Sequence, residues 1–293
     1  LPVVEAGRLV GLISLRMLLA RRSEVLNRKI DEGTAELRRA NEQLLARDAE
    51  NTHNLRAAGR LQTRLLLPQS PPDWPEFRWA VHYAPLYHLG GDYYDFAQPG
   101  PGHLGFLIAD ASGHSLPAAV VAIMARFAFV EAARVLPWPG EVLGVMNRRL
   151  VELSDERFVT GVYAVFDRHP LTLRYAAAGH PPPLHYRGDT GAVRPLAGGG
   201  FLLGVIPGEV YAERAVPLAP GDRVCFYTDG LVEARNEIGE MFGQDRLTDC
   251  LREHGAGPAD AVLNAVLEAQ RAFSGSARLT DDVTAAVVEV VGG

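Results

Sequence analysis

The sequence predicts an α+β layered domain preceded by one long helix, and three observations carry that reading. From about Leu15 to Leu67 the chain is rich in charge and contains no proline, as a single uninterrupted helix requires. Beyond Pro72, strand-like runs come in groups separated by helical stretches, which favours packed layers over strict strand–helix alternation. Gly, Ser and Asp punctuate the ends of the apolar runs, as turns do.

Taking the elements in order, Leu1 to Arg22 reads as a strand, a turn at Gly7, a strand from Leu9 to Ser14, and a helix capped by Ser14. The helix from Leu15 to Leu67 would span ~75 Å at ~1.5 Å per residue, too long for a packed globular helix. Leu26, Ile30, Leu37, Ala40 and Leu44 fall on a heptad seam. The seam meets Arg47, Asn51 and Asn54, then resumes at Ala58, Leu61 and Leu65. Such a polar break weakens pairing locally and helps to set register, so a parallel homodimer through this helix is expected, against a solvated connector with no partner. Pro68, Pro71 and Pro72 stop the helix.

After the prolines, Trp79 to Ala84 reads as a strand, with Leu104 to Ala109 as its neighbour after a turn at Pro99 to Gly102. Leu116 to Leu136 is an alanine-rich apolar helix, and Glu141 to Leu153 an amphipathic one through Val142, Val145, Met146, Leu150 and Leu153. Phe158 to Phe166 and Leu171 to Ala177 read as strands, Val224 to Tyr227 as a buried strand, Ala259 to Phe273 as a helix, and Val283 to Val291 as a final strand.

Composition narrows the class. Of 293 residues, 47% are hydrophobic and 22% charged, as in ordinary soluble domains. A net charge of −6 argues against nucleic acid as a partner. The two cysteines, Cys225 and Cys250, suggest neither a disulfide framework nor a zinc site, and Cys225 reads as a buried reduced thiol. No stretch reads as the roughly 18 apolar residues that cross a bilayer, and no signal peptide is recognised, so a cytoplasmic protein without a membrane partner is expected. The start at Leu1, in what reads as mid-domain, suggests a piece of a longer protein.

Four acidic stretches stand far apart: Gly90-Gly91-Asp92-Tyr93-Tyr94-Asp95, Asp110-Ala111-Ser112-Gly113-His114, Thr228-Asp229-Gly230 and Thr280-Asp281-Asp282-Val283-Thr284. The last three sit at the lips of apolar runs. A carboxylate at a strand end is held rigidly yet faces solvent, and several together make an oxygen cage suited to Mg²⁺ or Mn²⁺. Singly, each Asp would be an ordinary turn residue.

This order, GGDYYDF, DASGHS, TDG and DDVT, resembles the metal-dependent protein phosphatases of the PPM (PP2C-like) group, in their bacterial SpoIIE/RsbU-type branch, from about Leu61 to Val291. The resemblance implies two antiparallel sheets packed face to face with helices on both outer faces. It also implies a serine/threonine protein phosphatase that works through a metal-activated water with two Mn²⁺ or Mg²⁺ ions. Asp110 would bridge the ions, the Ala111 carbonyl would ligate one, and Asp229 and Asp281 would complete the second site. Asp92 would join directly or through the ions' water shell, so Asp92, Asp110 and Asp229 carry the catalytic assignment. Asp282, pointing away from Asp281 in an extended segment, would support the ligands or their turn. His114 has two readings, a hydrogen-bond donor near the leaving group and a structural residue at the helix start. Asp95 reads as a surface or turn residue, and His180, in Ala178-Gly179-His180-Pro181-Pro182, as a structural turn near a sheet edge. Gly198-Gly199-Gly200 lacks the lysine and helix of a phosphate-binding loop and reads as a flexible turn or flap.

The implied organisation is a C-terminal remnant of a CBS-like domain (residues 1–22), a coiled-coil linker (23–67) and a phosphatase domain (68–293). An ordinary hairpin feeding a helix is the other reading of residues 1–22. CBS modules commonly bind adenine nucleotides, which only a full-length sensor could do here. The implied substrate is a phosphorylated STAS-type anti-sigma factor antagonist in a partner-switching pathway. The alternatives are a catalytically silent signalling module dimerising through the coiled coil, and a two-metal nuclease or small-molecule phosphohydrolase.

Overall fold

A computed structural model describes residues 1–12, 14–66, 73–86, 89–113, 116–153, 157–277 and 279–292. The chain divides into two compact units, Leu1–Leu55 and Arg56–Gly293. In the first, β1 (Pro2–Glu5) and β2 (Arg8–Leu12) form an antiparallel hairpin. Helix α1 (Leu15–Leu66) follows, with the Ser14 hydroxyl accepting from the Met17 amide as an N-cap does. The seam residues Leu26, Ile30, Leu37 and Leu44 are all exposed. The prolines expected to end this helix, together with Leu67, lie outside the described residues.

The second unit holds the end of α1 and two five-stranded sheets. Its elements are β3 (Phe77–Ala84), β4 (Asp92–Gly100), β5 (His103–Ala111), α2 (Leu116–Ala133), α3 (Pro139–Leu153), β6 (Val159–Asp167), β7 (Thr172–Ala178), β8 (Leu184–Tyr186), β9 (Val193–Pro195), β10 (Arg214–Pro217), β11 (Arg223–Tyr227), α4 (Asp229–Val232), α5 (Gly243–His254), α6 (Ala259–Ser274) and β12 (Val283–Val290). Sheet I has the order β10-β7-β6-β5-β4 and sheet II the order β3-β12-β11-β8-β9, with every pairing antiparallel. The α+β sandwich with flanking helices is therefore the fold.

Alternation along the strands builds the layers. On β5, Leu104, Phe106 and Ile108 point between the sheets, where they meet Phe166, Phe226 and Val288. Leu107, Ala109 and Ala111 point outward beneath α2 and α3. In sheet II, Cys225, Val283, Ala285 and Val287 face α5 and α6, and Cys225 is a free buried thiol as expected. The Phe106 and Phe226 rings meet edge-on with centroids 5.0 Å apart, locking sheet to sheet.

Three expectations are corrected. The neighbour of β5 is β4, which begins within the first acidic motif, whereas β3 pairs with β12 in the other sheet. Tyr93, Asp95 and Ala97 alternate with Tyr94 and Phe96, so the motif is a strand with two buried faces, disguised by its acids. Asp95 is thus neither a surface nor a turn residue: it is buried on the outer face of β4, where it accepts from the Tyr93 hydroxyl (2.8 Å) and lies 3.5 Å from Arg126 of α2. Finally, α2 is long and apolar enough to cross a membrane by composition alone, and half of it is buried in the domain.

Candidate metal centre

Period-two alternation also delivers the site. Continuing the inward parity of each strand to one end of the sandwich places Asp92 before Tyr94, Asp110 after Ile108, Thr160 before Val162, Thr228 after Phe226, and Thr284 and Asp282 before Ala286. The aromatic filling stops there and polar side chains take over. Asp229 and Asp281 come from the adjoining segments, Asp229 as the first residue of α4 and Asp281 just ahead of β12.

Hydrogen bonds hold these groups across the sheets. Asp92, only 2% exposed, accepts at Oδ2 from the hydroxyls of Thr228 (2.8 Å), just after β11, and Thr284 (2.6 Å) on β12. Asp282 accepts at Oδ1 from the Leu86 amide (2.6 Å) and at Oδ2 from the Gly91 amide (2.7 Å). It faces inward whereas its neighbour Asp281 is exposed, and the Asp281 carboxylate accepts from the Asp282 amide at 2.9 Å. Gly91 lets two strands close up: a Cβ there would stand 2.6 Å from the Ala111 carbonyl oxygen and 3.2 Å from Asp110 Oδ1. The Gly91 carbonyl accepts from the Ala111 amide at 3.1 Å.

Asp92 and Asp110 are opposite one another in the β4–β5 register. Burial raises the pKa of Asp110, and the other charges raising it are all carboxylates: Asp92, Asp229, Asp281 and Asp282. Burial raises Asp92 too, opposed by the two threonine hydrogen bonds and reinforced by Asp282 and Asp229. Asp229 is raised by burial, then by Asp281 and Glu233. Among the described residues no three His, Cys, Asp or Glu side chains are gathered closely enough to hold one ion. The donor chemistry nevertheless fits a hard dication: oxygen donors alone, crowded on rigid strand ends and mutually repelling.

One feature escaped the sequence reading. Gln62, in the last turn of α1 within the second unit, is buried and donates from Nε2 to the Gly90 carbonyl at 2.7 Å. Its Oε1 accepts from the Gly90 amide at 3.2 Å, so one side chain grips both backbone groups of a residue two positions before Asp92. Nothing in the run Leu61-Gln62-Thr63-Arg64-Leu65-Leu66 marks Gln62 apart from its polar neighbours. His180, read as a structural turn near a sheet edge, lies buried between Thr160 and Tyr227. In the Gly198-Gly199-Gly200 turn, the Gly200 carbonyl accepts from the Gly179 amide at 2.9 Å. His114 lies outside the described residues.

Residues 100–291, well over half of the chain, match a family model described as "Stage II sporulation protein E (SpoIIE)". The chain belongs to the SpoIIE family. Asp110, Ala111, Asp229, Asp281 and Asp282 fall inside the matched stretch and Asp92 precedes it. Over 187 residues the chain is 29% identical to the phosphoserine phosphatase RsbU of Bacillus subtilis, covering 63% of this chain and 55% of RsbU, so it spans about half the length of that curated relative. The SiaA-PP2C domain of Pseudomonas aeruginosa superposes with a TM-score of 0.73 at 24% identity, covering 83% of this chain and 98% of that domain. A structure of the RsbU and RsbW domains of Rv1364c from Mycobacterium tuberculosis gives 0.67 at 25% identity, over 78% of this chain and 64% of that one. The sandwich is that of PP2C-type domains.

Proposed function

We propose that the chain is a metal-dependent protein-serine/threonine phosphatase. The observation that carries this is the opposition of Asp92 and Asp110 on sheet I, at the same end of the sandwich as Asp229 and Asp281 from the segments adjoining sheet II, within a SpoIIE-family domain. Asp92, Asp110, Asp229, Asp281 and the Ala111 carbonyl would hold Mn²⁺ or Mg²⁺, two ions by the family resemblance. Such ions, when bound, lower the pKa of water and offset charge on phosphoryl oxygens.

The protein's own part is positional. Thr228 and Thr284 hold the Asp92 carboxylate in one rotamer, and Asp282 fixes the Leu86 and Gly91 amides so that the start of β4 cannot drift. Asp110 sits on sheet I and Asp229 opens α4 just after β11 of sheet II, so the packing of the two sheets decides whether the oxygens converge.

The likeness to the phosphoserine phosphatase RsbU supports a phosphoserine group as the target, and a phosphorylated STAS-type antagonist is the particular substrate that the resemblance of the acidic motifs implies. The exposed heptad residues of α1 support pairing of two copies through residues 23–67. Residues 1–22 would then end a CBS-like sensor, with residues 68–293 as the phosphatase domain. Gln62 supports control through the helix, because its grip on Gly90 ties the end of α1 to the segment entering Asp92.

Hydrolysis of p-nitrophenyl phosphate and of a phosphoserine protein, with and without Mn²⁺, tests the reading. Mn²⁺-dependent turnover lost in Asp110→Asn and Asp229→Asn is the expected result. Absence of both turnover and metal binding would refute it and leave a silent interaction module.

A further inference from the structure

The two sheets are tied unequally around the acidic cluster. On the β4 side, Asp92 and Asp282 make five hydrogen bonds between sheet II or its adjoining residues and the β4 end of sheet I or the loop preceding it. On the β6 side, the tie runs through one imidazole. His180 stands just after β7 of sheet I, where the chain crosses to β8 of sheet II. Its Nδ1 lies 2.8 Å from the Thr160 hydroxyl and its Nε2 lies 3.1 Å from the Tyr227 carbonyl oxygen.

The tautomer follows from the partners. A carbonyl can only accept, so Nε2 carries the proton and donates to Tyr227, and Nδ1 accepts from the Thr160 hydroxyl. The ring is therefore used at both ends in its neutral form. Burial agrees, pushing its pKa down to about 4.

Both partners abut the acids. Thr160 is directly opposite Asp110 in the β5–β6 register, and Tyr227 is two residues before Asp229. The chain of contacts from Asp110 to Asp229 thus passes through Thr160, His180 and Tyr227. We propose that His180 is a positioning residue that sets the separation of Asp110 and Asp229 across the two sheets, and so the affinity of the acidic cluster for its divalent ions. This inference rests on the metal-dependent reading above. It gives the Gly-His-Pro turn a role beyond reversing the chain.

Mn²⁺ affinity by isothermal titration calorimetry and melting temperature, measured on the same protein samples, test this. Thr160→Val keeps the shape and removes the hydroxyl, His180→Ala removes the tie, and His180→Gln can still accept at one end and donate at the other. Loss of about tenfold or more in Mn²⁺ affinity is expected for Thr160→Val and His180→Ala, the range seen when partners that orient metal ligands are removed, with His180→Gln restoring most of it. A purely structural histidine would lower the melting temperature and leave Mn²⁺ affinity unaltered in the folded variants, which would overturn the inference while leaving the phosphatase reading intact. If His180→Ala does not fold, Thr160→Val decides the matter. Failure of the unaltered protein to bind Mn²⁺ would overturn both.

Discussion

Asp92 and Asp110 are direct partners in the β4–β5 register, two acids on neighbouring strands of the same inner face. Like charges directly opposite one another destabilise an antiparallel pair, and burial sharpens the repulsion. The arrangement is tolerable when the acids are protonated or share a cation.

A pH dependence follows for metal-free protein. The folded pKa of both carboxylates lies above the ordinary value of 3.8, raised chiefly by burial. The fold therefore retains protons that the unfolded chain has released, and the stability present at low pH is lost as pH rises through and beyond the ordinary carboxylate range. Melting in the presence of a chelator should give a lower midpoint at pH 8 than at pH 5. Asp110→Asn should flatten that slope, and added Mn²⁺ should raise the pH 8 midpoint of the unaltered protein. A midpoint that climbs from pH 5 to pH 8 without metal would contradict the account.

Thr284→Val should cost about 1–3 kcal/mol of stability, because a buried carboxylate loses a hydroxyl partner at unchanged side-chain volume. Mn²⁺ affinity should fall with it, since Asp92 gains rotamer freedom. Urea unfolding and calorimetry on one sample separate the two effects, and unchanged affinity would remove Thr284 from the site.

Gln62→Leu should leave the amide and carbonyl of Gly90 without this partner, at roughly 1–3 kcal/mol for each group that stays buried. Phosphatase activity at limiting Mn²⁺ should drop more than activity at saturating Mn²⁺. An equal drop at both would mean that Gln62 anchors the helix end without influencing the acids.

Asp95→Asn supplies the contrast. Asp95 lies under α2 on the face of β4 opposite Asp92, bonded to Tyr93 and near Arg126. The variant should lose stability by about 1–3 kcal/mol while kcat/KM and Mn²⁺ affinity stay unchanged. Loss of Mn²⁺ affinity here would show that α2 and the metal centre are coupled.

Much of this was legible from local pattern. The apolar runs of β5, β11 and β12 and the helices α2, α3 and α6 were read within a few residues, because burial leaves continuous or periodic hydrophobicity. The last three of the four acidic motifs could be placed at strand ends for the same reason. The short strands β8, β9 and β10 and the helix α5 went unread. Three or four residues carry little periodicity, and α5 begins at Gly243 without a side-chain cap.

By itself the sequence determined which residues could serve: the aspartates, their order, and the glycines beside them that let backbones approach. Only the tertiary structure decided which of them meet. Pairing β3 with β12 across some two hundred residues, or Thr284 with Asp92 across 192 positions, depends on register set by long-range packing. A one-residue slip of β4 would exchange Asp92 for Tyr93 on the inner face, and no local propensity forbids it. Packing does: Tyr93 fills the core beneath α2, and Asp92 is left to the threonines of the opposite sheet.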